Sequence, residues 1–425
     1  MNLFKKDELS RRHFMAQAAA AYLGVNAISG LNNNLLGQQK VSVKSKVDSV
    51  IYIFLKGGLS QIDSFDIKPD FAGGKGAGAI KTSLNGYRVS KYFPKMAKVM
   101  NKMCVINSMS TGTAAHEQAQ YLMNTSYEMR GTIKHPHLGA WVSKYLPSYS
   151  KDIPPFIKIN PGQSLGRGYF EAKHSALPIG DPALGLQNSK LNGMSQKDFE
   201  HNMALLRKVN ANFGNTYKTD NIKSYTESYE GAVKLMKSKE LEVFDINKEK
   251  KSVLDSYGDT DFGKACLLAR RLAEKKVRFI DVTMGTWDHH YDIYDNEYFP
   301  TSAKILDDSL SALITDLSQR GMLDRTMVCV VTEFGRGPNL DVRNGRVHYP
   351  TAFSCLMAGG PVKRGYVHGK TDANCARVIE DKMSPEGLNA TIATAMGLDY
   401  SKTITAQGRP FKIAHKGKPE MALFS

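Results

Sequence analysis

The stretch "DSVIYIFLKGG", from Asp48 to Gly58, is the strongest indicator of the fold. It is a continuous apolar run, rich in β-branched and aromatic residues, and it ends in two glycines. An apolar run without polar alternation is typical of a strand that is buried on both faces, as the strands of parallel sheets are. Gly57 and Gly58 allow a tight turn or a close approach of the backbone to a ligand. We therefore expect a buried parallel strand that opens into a functional loop.

Further apolar runs of this kind follow along the chain, and we expect them to join the same sheet. They are Met103–Met109, Pro155–Ile159, Val277–Met284, Thr326–Gly335 and Ala352–Gly360. Segments with the three- and four-residue apolar spacing of amphipathic helices stand between them. These are His137–Leu146, Phe262 to Ala273, and Leu306 to Leu317, the last followed by Gly321 as a stop signal. The alternation predicts an α/β fold in three layers, a mostly parallel central sheet with helices on both faces.

Two other segments differ in character from this alternating region. Residues 189–257 are polar and favour helix but contain no strand-like run, so we expect a helical insertion or cap there. At the start of the chain, Arg11 and Arg12 precede a short apolar run, Ala16 to Ala27, which is too short to span a bilayer. The hexapeptide "SRRHFM" resembles the twin-arginine (Tat) export pattern. The alternative is a surface helix that carries two arginines by chance.

The export pattern predicts a signal peptide over residues 1–37 and a polar linker over residues 38–46. The Tat translocase would then be a transient partner, and the protein would reach the periplasm or another extracytoplasmic space. No later apolar run is long enough for a membrane helix, so we expect none in the mature chain. Tat machinery carries folded proteins, which favours a metal or cofactor that is bound before export.

Composition narrows the choice of partners. The 425 residues carry a formal net charge of +16, which could steer anionic substrates or a polyanionic surface toward the protein. The lysines are scattered and no nucleic-acid-binding motif is present, so we expect no nucleic-acid partner. None of the five cysteines forms a CxxC pair, which argues against a disulfide framework.

Candidate site residues follow the first two predicted strands, and in open α/β sheets ligands bind at the carboxyl ends of the strands. Asp63 follows the first strand and could bind a metal, or it could cap a turn. Thr111 and Thr113 follow the second strand and could cap the next helix. His116 lies near the start of that helix. It could be a nucleophile, a general acid or a metal ligand, or simply a partly exposed histidine at a helix start.

The sequence "GTWDHHYD" follows the strand Val277–Met284 and provides the strongest local signal. In an extended segment Asp288 and His290 point to one side and His289 to the other. A carboxylate and an imidazole on one side suit Zn²⁺ or a similar divalent ion. Surface hydrogen bonding is the alternative.

Three more candidates lie at the end of the strand Thr326–Gly335 or in the loop after it. Glu333 ends the apolar run, where a carboxylate is unfavourable unless it is paired or bound to a metal. Arg336 could grip an anionic substrate oxygen, or it could form a salt bridge with Glu333. His348 stands in the glycine-containing loop that follows. These strand ends could together hold one or two divalent metals, and a bound metal would polarise an ester oxygen.

The motifs also support a family resemblance. They are, in order, "FLKGGLSQIDSFDIKP", "HEQAQYLMNTSY", "HPHLGAWVSKYL", "WDHH", "VVTEFGRGP", "NGRVHYP" and "LMAGGPVKRGYVHGKTD". The sequence resembles a widespread bacterial family of exported proteins of unknown function, which is in turn similar to the alkaline phosphatase/sulfatase superfamily. The resemblance implies an alkaline-phosphatase-like domain over residues 47–425 and a site for Zn, Mn, Ca or Fe. The ligands that it implies are Asp288, His290, Glu333 and His348, with Asp63 nearby.

The sequence departs from the superfamily pattern in three places. Lys56, Gly57 and Gly58 stand where an aspartate usually ends the first strand. His116 stands at the place of the usual Ser, Thr or Cys nucleophile, so it could form a covalent phospho-intermediate or bind metal, with Thr113 and Ser110 as backup nucleophiles. Val347 stands where this family commonly has an aspartate.

Two functions follow from this reading. The first is a metal-dependent hydrolase of phosphate or sulfate esters, acting on an anionic small molecule, a glycan or a cell-envelope component, with Arg336 holding the anion. The second is a non-catalytic exported binding or assembly protein on a degenerate enzyme scaffold, whose basic charge serves adhesion to anionic polysaccharide. The departures from the superfamily pattern favour the second function, because a shared fold does not guarantee a shared activity.

Overall fold

The computed structural model of the protein describes residues 47–160, 166–187, 189, 193, 195–216, 230–295 and 297–425. The predicted signal peptide, residues 1–37, and the predicted linker, residues 38–46, lie outside this part of the chain. Several residues of the predicted cap over 189–257 lie outside it as well. Within the described ranges, no helix combines the length and the apolarity that crossing a membrane requires.

The protein is built around one large sheet. The described strands belong either to this large sheet or to one of four two-stranded sheets. In chain order they are β1 (Ser49–Leu55), β2 (Ala79–Lys81), β3 (Arg88–Ser90), β4 (Met103–Met109), β5 (Phe156–Ile159), β6 (Leu177–Ile179), β7 (Phe279–Met284), β8 (Thr326–Val331), β9 (Gly335–Arg336), β10 (His348–Tyr349), β11 (Phe353–Ala358), β12 (Tyr366–His368), β13 (Lys370–Thr371), β14 (Val378–Glu380), β15 (Ile404–Ala406) and β16 (Arg409–Phe411). The large sheet has eight strands in the order β12-β4-β11-β8-β1-β7-β5-β6. Every apolar run predicted as a strand is therefore a strand of this sheet.

The helices whose bounds the structure describes in full are α1 (His116–Thr125), α2 (Leu138–Tyr145), α3 (Gln196–Thr216), α4 (Lys251–Tyr257), α5 (Asp261–Glu274), α6 (Phe299–Gln319) and α7 (Pro385–Ala395). The three helical patterns of the sequence correspond to α2, α5 and α6. Local signals explain their ends. Thr260 caps α5 by accepting a hydrogen bond from Gly263 N at 3.1 Å. Gly321 follows α6 with a φ of 67°, a left-handed conformation that glycine adopts readily.

The direction of the strands determines where the loops gather. β1 pairs in parallel with β7 and β8, and the other pairs of the sheet are parallel except those of β11. β11 runs antiparallel to β4 and β8. The residues just before β11 therefore lie at the same edge as the residues just after β1, β4, β7 and β8.

The two faces of the sheet carry separate hydrophobic cores, and alternate residues of β1 show this directly. Ile51 and Ile53 belong to a core that includes residues of α5 and α6, such as Leu310. Tyr52 and Phe54 belong to a core that includes residues of α2 and α7. Successive side chains of a strand point to opposite faces, so the helices form outer layers on both sides. The predicted α/β fold with a mostly parallel central sheet in three layers is confirmed.

The segment that was predicted as a cap contains α3, α4 and two short 3-10 helices, Lys239–Phe244 and Ile246–Lys248. Its C-terminal part packs on the helical layer. The guanidinium of Arg271 in α5 donates to Val243 O at 2.8 Å. Phe244 and Tyr257 are buried in the core that α5 and α6 share.

Candidate metal centre

Side chains from four loops meet at the carboxyl edge of the sheet. They follow β4, β7 and β8 and precede β11, and they are His116, Asp288, His290, Glu333, Arg336 and His348. The reversed direction of β11 brings His348 to this edge, since its short strand β10 comes just before β11. The structure thus brings together six of the eight residues that the sequence analysis proposed.

Asp288 lies at the centre of this group. Its Oδ1 lies 2.8 Å from Nε2 of His290 and 3.1 Å from Nε2 of His348. Its Oδ2 lies 3.2 Å from Nε2 of His116. The two nitrogens Nε2 of His290 and His348 are only 2.9 Å apart. The side chain of Asp288 is 47% exposed, so the centre is open to solvent.

Hydrogen bonds at the far side of two imidazole rings define which nitrogens carry lone pairs. His348 Nδ1 lies 2.9 Å from Ala114 O, and a carbonyl oxygen can only accept, so Nδ1 carries the hydrogen. His116 Nδ1 likewise lies 2.8 Å from the carboxylate oxygen Oε1 of Glu333. In the neutral rings both Nε2 atoms then have lone pairs, and that of His116 is buried without a hydrogen-bond partner within the described residues.

These lone pairs and the carboxylate of Asp288 face a common space. One ligand atom each from His116, Asp288 and His348 can be chosen so that all three lie within 4.8 Å of one another. Acceptors that face each other repel unless a cation lies between them, and imidazole nitrogen with carboxylate oxygen is a common donor set for divalent metals. An outer hydrogen bond on each imidazole is the arrangement that orients metal-binding histidines. The residues therefore fit a metal ion.

The local charges favour the metal-binding forms of Asp288 and His290, but not that of His116. Burial raises the pKa of Asp288, but the hydrogen bond and charge of Arg336 outweigh it and hold that pKa well below its usual range. Burial and the charge of Arg336 lower the pKa of His290. The hydrogen bond to Glu333 raises the pKa of His116. The carboxylate of Asp288 is thus ionised at neutral pH.

Glu333 is fully buried, and protein groups occupy its carboxylate. Oε1 accepts hydrogen bonds from Gly57 N at 2.8 Å and from Gln120 Nε2 at 3.1 Å, in addition to the contact with His116. Oε2 accepts one from Thr332 Oγ1 at 3.3 Å. Glu333 therefore supports the imidazole of His116 from behind, in the manner of a carboxylate–histidine–metal arrangement.

Arg336 is also buried, with 1% of its side chain exposed. Its Nε donates to Gly58 O at 2.9 Å and its Nη1 donates to Arg346 O at 2.9 Å. Its Nη2 forms an ion pair with Asp288 at 2.5 Å, which replaces the Glu333 pairing considered from the sequence. Its donors are thus directed at protein acceptors, and Arg336 positions Asp288 rather than standing free to hold an anion.

Asp63 lies in a different arrangement. Its Oδ2 lies 2.7 Å from Nε of Arg346 and its Oδ1 lies 3.0 Å from Nη2, and both side chains are completely buried. Ser60 and Tyr294 donate further hydrogen bonds to its carboxylate, at 2.5 and 2.7 Å. Asp63 thus connects the loop after β1 to the loop before β11.

Thr113 is not joined to the group either. Its hydroxyl donates to Gln118 Oε1 at 3.0 Å and accepts from Ala115 N at 3.2 Å, which organises the turn before α1. The N-cap residue of α1 is Ala115, which offers no side-chain hydrogen bond. Thr111 directs its hydroxyl to Thr113 O at 3.2 Å, so neither threonine is the helix cap that the sequence suggested.

Two features of the site escaped the sequence analysis. The ring of Phe334 packs against two imidazoles, with its centroid 4.9 Å from that of His116 and 4.7 Å from that of His348. Arg346 pairs with an aspartate 283 positions away in the chain. No local pattern signals either contact. The only available hint was the number of charged residues in the loop around Arg346.

Taken together, fold and site define an α/β protein with a candidate divalent-metal centre at the carboxyl edge of a mostly parallel sheet. The chain belongs to the family described as "Protein of unknown function (DUF1501)", whose model matches residues 47–423. This confirms the family resemblance found in the motifs. No curated protein matches the chain.

Several solved structures are similar to the chain at low sequence identity. The PsFucS1 sulfatase from Pseudoalteromonas sp. is 12% identical, with 97% of this chain and 76% of that chain covered and a TM-score of 0.43. A protein in the alkaline phosphatase superfamily from Vibrio parahaemolyticus is 11% identical, with coverages of 96% and 78% and a TM-score of 0.36. The C-terminal periplasmic domain of EcEptC from Escherichia coli, in complex with Zn, is 8% identical, with coverages of 94% and 99% and a TM-score of 0.38.

Proposed function

We propose that this protein is a metal-dependent hydrolase of phosphate or sulfate esters. One observation carries the proposal: His116 Nε2, His348 Nε2 and the carboxylate of Asp288 converge, and both imidazoles are oriented from behind by acceptors. His290 lies against the same carboxylate oxygen and is a fourth candidate ligand. A preorganised set of this kind is what a catalytic metal site needs.

The donor set narrows the choice of metal. Ca²⁺ takes six to eight oxygen ligands, whereas this centre offers imidazole nitrogens together with one carboxylate. Imidazole suits Zn and Fe, and carboxylate also suits Mn, so these three are better supported than Ca. In this assignment Glu333 orients His116 through Nδ1 and is not itself a ligand, because its oxygens already accept four protein contacts.

The roles of the residues follow from these contacts. When a divalent ion is bound, it would neutralise the charge of an ester oxygen and lower the pKa of a water molecule. Within the described ranges, no hydroxyl or thiol is hydrogen-bonded to His116, Asp288 or His348. A water molecule is therefore better supported as the nucleophile than a Ser, Thr or Cys side chain. Arg336 keeps the carboxylate of Asp288 ionised and in place.

The substrate and the location complete the proposal. The net charge of +16 favours anionic esters, including those of glycans and cell-envelope components. The twin-arginine pattern supports export by the Tat translocase to the periplasm or an equivalent space. Replacing both Arg11 and Arg12 by lysine should retain the protein in the cytoplasm. Unchanged export of that variant, measured by cell fractionation, would contradict the Tat assignment.

The direct experiment is elemental analysis of mature protein purified without chelator or metal-affinity resin. We expect roughly one or two equivalents of Zn, Mn or Fe, and turnover of p-nitrophenyl phosphate or sulfate with that metal. Asp288→Ala should lose both metal and turnover, and His201→Ala, at an exposed histidine of α3, should lose neither. A protein that takes up no metal after dialysis against each ion would contradict the proposal.

A non-catalytic exported binding or assembly protein is the second candidate. The engagement of Arg336 with backbone carbonyls and Asp288 favours it, because no free guanidinium remains there to hold an anion. The absence of an aspartate at Lys56-Gly57-Gly58 points the same way. Salt-sensitive binding of anionic polysaccharide without ester turnover would support this second function.

A further inference from the structure

A pocket with a volume of about 720 Å³ lies next to the loop that leads into the candidate metal centre. Residues 110–112 form one wall of it, and the same segment continues into His116. Two backbone hydrogen bonds hold this wall, from Ser110 N to Met383 O at 3.0 Å and from Thr111 N to Pro350 O at 2.9 Å. The pocket contains none of the candidate metal ligands, so it is a separate feature of the molecule.

The pocket is lined by cations that lack counterions. Four exposed basic side chains from separate segments line it, and within the described residues none of them forms an ion pair: Arg130, Lys382, Arg409 and Lys416. His415 adds a further titratable group. A concave surface with an excess of one sign of charge raises the local concentration of oppositely charged ligands, and these four cations outnumber the two carboxylates of the lining, Glu128 and Glu386. Anionic groups are therefore the ligands that this pocket favours.

A neighbouring histidine reports the same electrostatic environment. His135 lines the pocket and is 5% exposed. Burial, with the charges of Arg130 and His415, lowers the pKa of His135 to about 4. Burial is the largest cause of this shift, and the charges of Arg130 and His415 act in the same direction.

The pocket also contains groups that an inorganic anion would not use. Glu128 and Glu386 line it and are not ion-paired with any described residue. A carboxylate repels an anion but accepts hydrogen bonds from hydroxyl groups. The hydroxyl of Ser384 accepts from Gly387 N at 3.2 Å, so its hydrogen remains available to donate. This mixture suits a ligand that carries both anionic groups and hydroxyl groups.

Packed rings form the floor of the pocket. Tyr127 and His135 stack with their ring centroids 4.2 Å apart and their planes 3° from parallel, and Phe411 packs edge-on against Tyr127 at 5.7 Å. The hydroxyl of Tyr127 donates to Lys412 O at 2.8 Å and accepts from Lys412 N at 2.9 Å, which ties the β15–β16 hairpin to the floor. Such a floor loses little freedom when a ligand binds. The volume lies within the range of small-molecule sites, roughly 300–1,000 Å³.

We propose that this pocket binds a saccharide that carries carboxylate, sulfate or phosphate groups. The anionic groups pair with Arg130, Lys382, Arg409 and Lys416, and the hydroxyl groups bond to Glu128 and Glu386. Because residues 110–112 line the pocket and the same segment leads to His116, the pocket holds a further unit of a polymeric substrate whose ester lies at the metal centre. That last role rests on the proposed hydrolase function, whereas saccharide binding itself does not.

The test uses a heparin-derived hexasaccharide, which carries both sulfate and carboxylate groups, and isothermal titration calorimetry on the full chain. The pocket variant combines Lys382→Ala with Arg409→Ala. The matched control combines Lys81→Ala with Lys98→Ala, two exposed lysines outside the pocket, so that both variants lose the same charge. Loss of two charge-assisted contacts should weaken binding about tenfold or more in the pocket variant. The control should bind within about twofold of the wild type.

The proposal would be overturned by absence of saturable binding, by an equal loss in the control variant, or by inorganic sulfate that competes as effectively as the hexasaccharide. We expect maltohexaose, which is neutral, not to bind. If it binds as tightly as the heparin hexasaccharide, the role of charge is contradicted. Asp288→Ala should still bind the hexasaccharide. If the metal and turnover experiments fail while saccharide binding is intact, the hydrolase function is contradicted. The proposal of a saccharide-binding pocket then still stands.

Discussion

His116 Nδ1 lies 2.8 Å from Oε1 of Glu333, so the carboxylate just after β8 orients the imidazole that begins α1. The contact joins residues 217 positions apart in the chain. It leaves Nε2 of His116 directed at Asp288, 3.2 Å from Oδ2. The sequence suggested two separate functions for these residues, but the structure makes them one unit.

Replacing Glu333 by glutamine should weaken metal binding without abolishing it. Loss of an outer carboxylate partner typically lowers metal affinity about 10- to 100-fold, because the ligand loses its orientation and basicity. Competition with a chromophoric chelator measures the change. Asp288→Ala, which removes a candidate ligand, should abolish binding in the same assay. If Glu333→Gln abolishes metal binding as completely as Asp288→Ala does, Glu333 is a direct metal ligand.

Metal removal should lower the thermal stability of the wild-type protein. A ligand present at 100 times its dissociation constant stabilises the native state by about 2.7 kcal/mol, provided that it does not bind the unfolded chain. Differential scanning calorimetry before and after EDTA treatment measures the shift. Asp288→Ala provides the control, since its Tm should be insensitive to EDTA. An equal shift in both proteins would place the metal elsewhere.

Gly57→Ala should disturb both the fold and the centre. Gly57 has a φ of 123°, and a Cβ there would lie 2.5 Å from the backbone nitrogen of Asp288. Strained backbone of this kind destabilises by about 1–3 kcal/mol, and displacement of Asp288 should also reduce metal content. Chemical denaturation and elemental analysis give the two readouts. Gly86→Ala is the control, because Gly86 has a φ of 75° with open space around it, so only stability should fall.

Arg346→Met should be strongly destabilising. It would leave the carboxylate of Asp63 buried without its cation, which typically lowers the free energy of unfolding by about 3–5 kcal/mol. Urea denaturation measures the loss. The double variant Asp63→Asn with Arg346→Met should lose less than the sum of the single variants, because the unpaired charge is gone. Strict additivity would mean that the two residues do not act as a pair.

His135 should make the protein less stable in mild acid. Its pKa in the folded protein is about 4, below the ordinary histidine value. Between about pH 6.5 and pH 4 the unfolded chain binds a proton that the folded chain does not, so the free energy of unfolding falls as the pH falls. The groups that face it are the Tyr121 hydroxyl, the Tyr127 ring, Arg130 and His415.

Urea denaturation at a series of pH values tests this expectation. His135→Phe keeps an aromatic ring beside Tyr127 but cannot titrate, so its stability should vary less across this pH range. His201→Gln, at an exposed position, should behave as the wild type does. A His135→Phe profile that parallels the wild-type profile would assign the acid sensitivity to other groups.

Local sequence was sufficient for six of the eight strands of the large sheet, but it did not predict β6 or β12. The apolar runs predicted each strand to within a few residues, and Met103–Met109 coincides with β4. Burial on both faces requires apolar residues at consecutive positions, so this information is present in the strand itself. The alternation of Asp288 and His290 was also local, and their side chains lie 2.8 Å apart.

The sequence by itself therefore determined the α/β class, the six principal strands and the edge at which the polar side chains gather. Only the tertiary structure decided how those side chains pair. In the folded chain β11 runs antiparallel to its neighbours, and Glu333 contacts His116. Arg336 pairs with Asp288, and Asp63 pairs with Arg346. The physical reason is that apolar periodicity acts over a few residues, whereas ion pairs join groups that only the folded chain brings together. The sequence around a carboxylate does not indicate which distant cation it pairs with. The pairing is determined when the folded protein buries the carboxylate beside one particular cation.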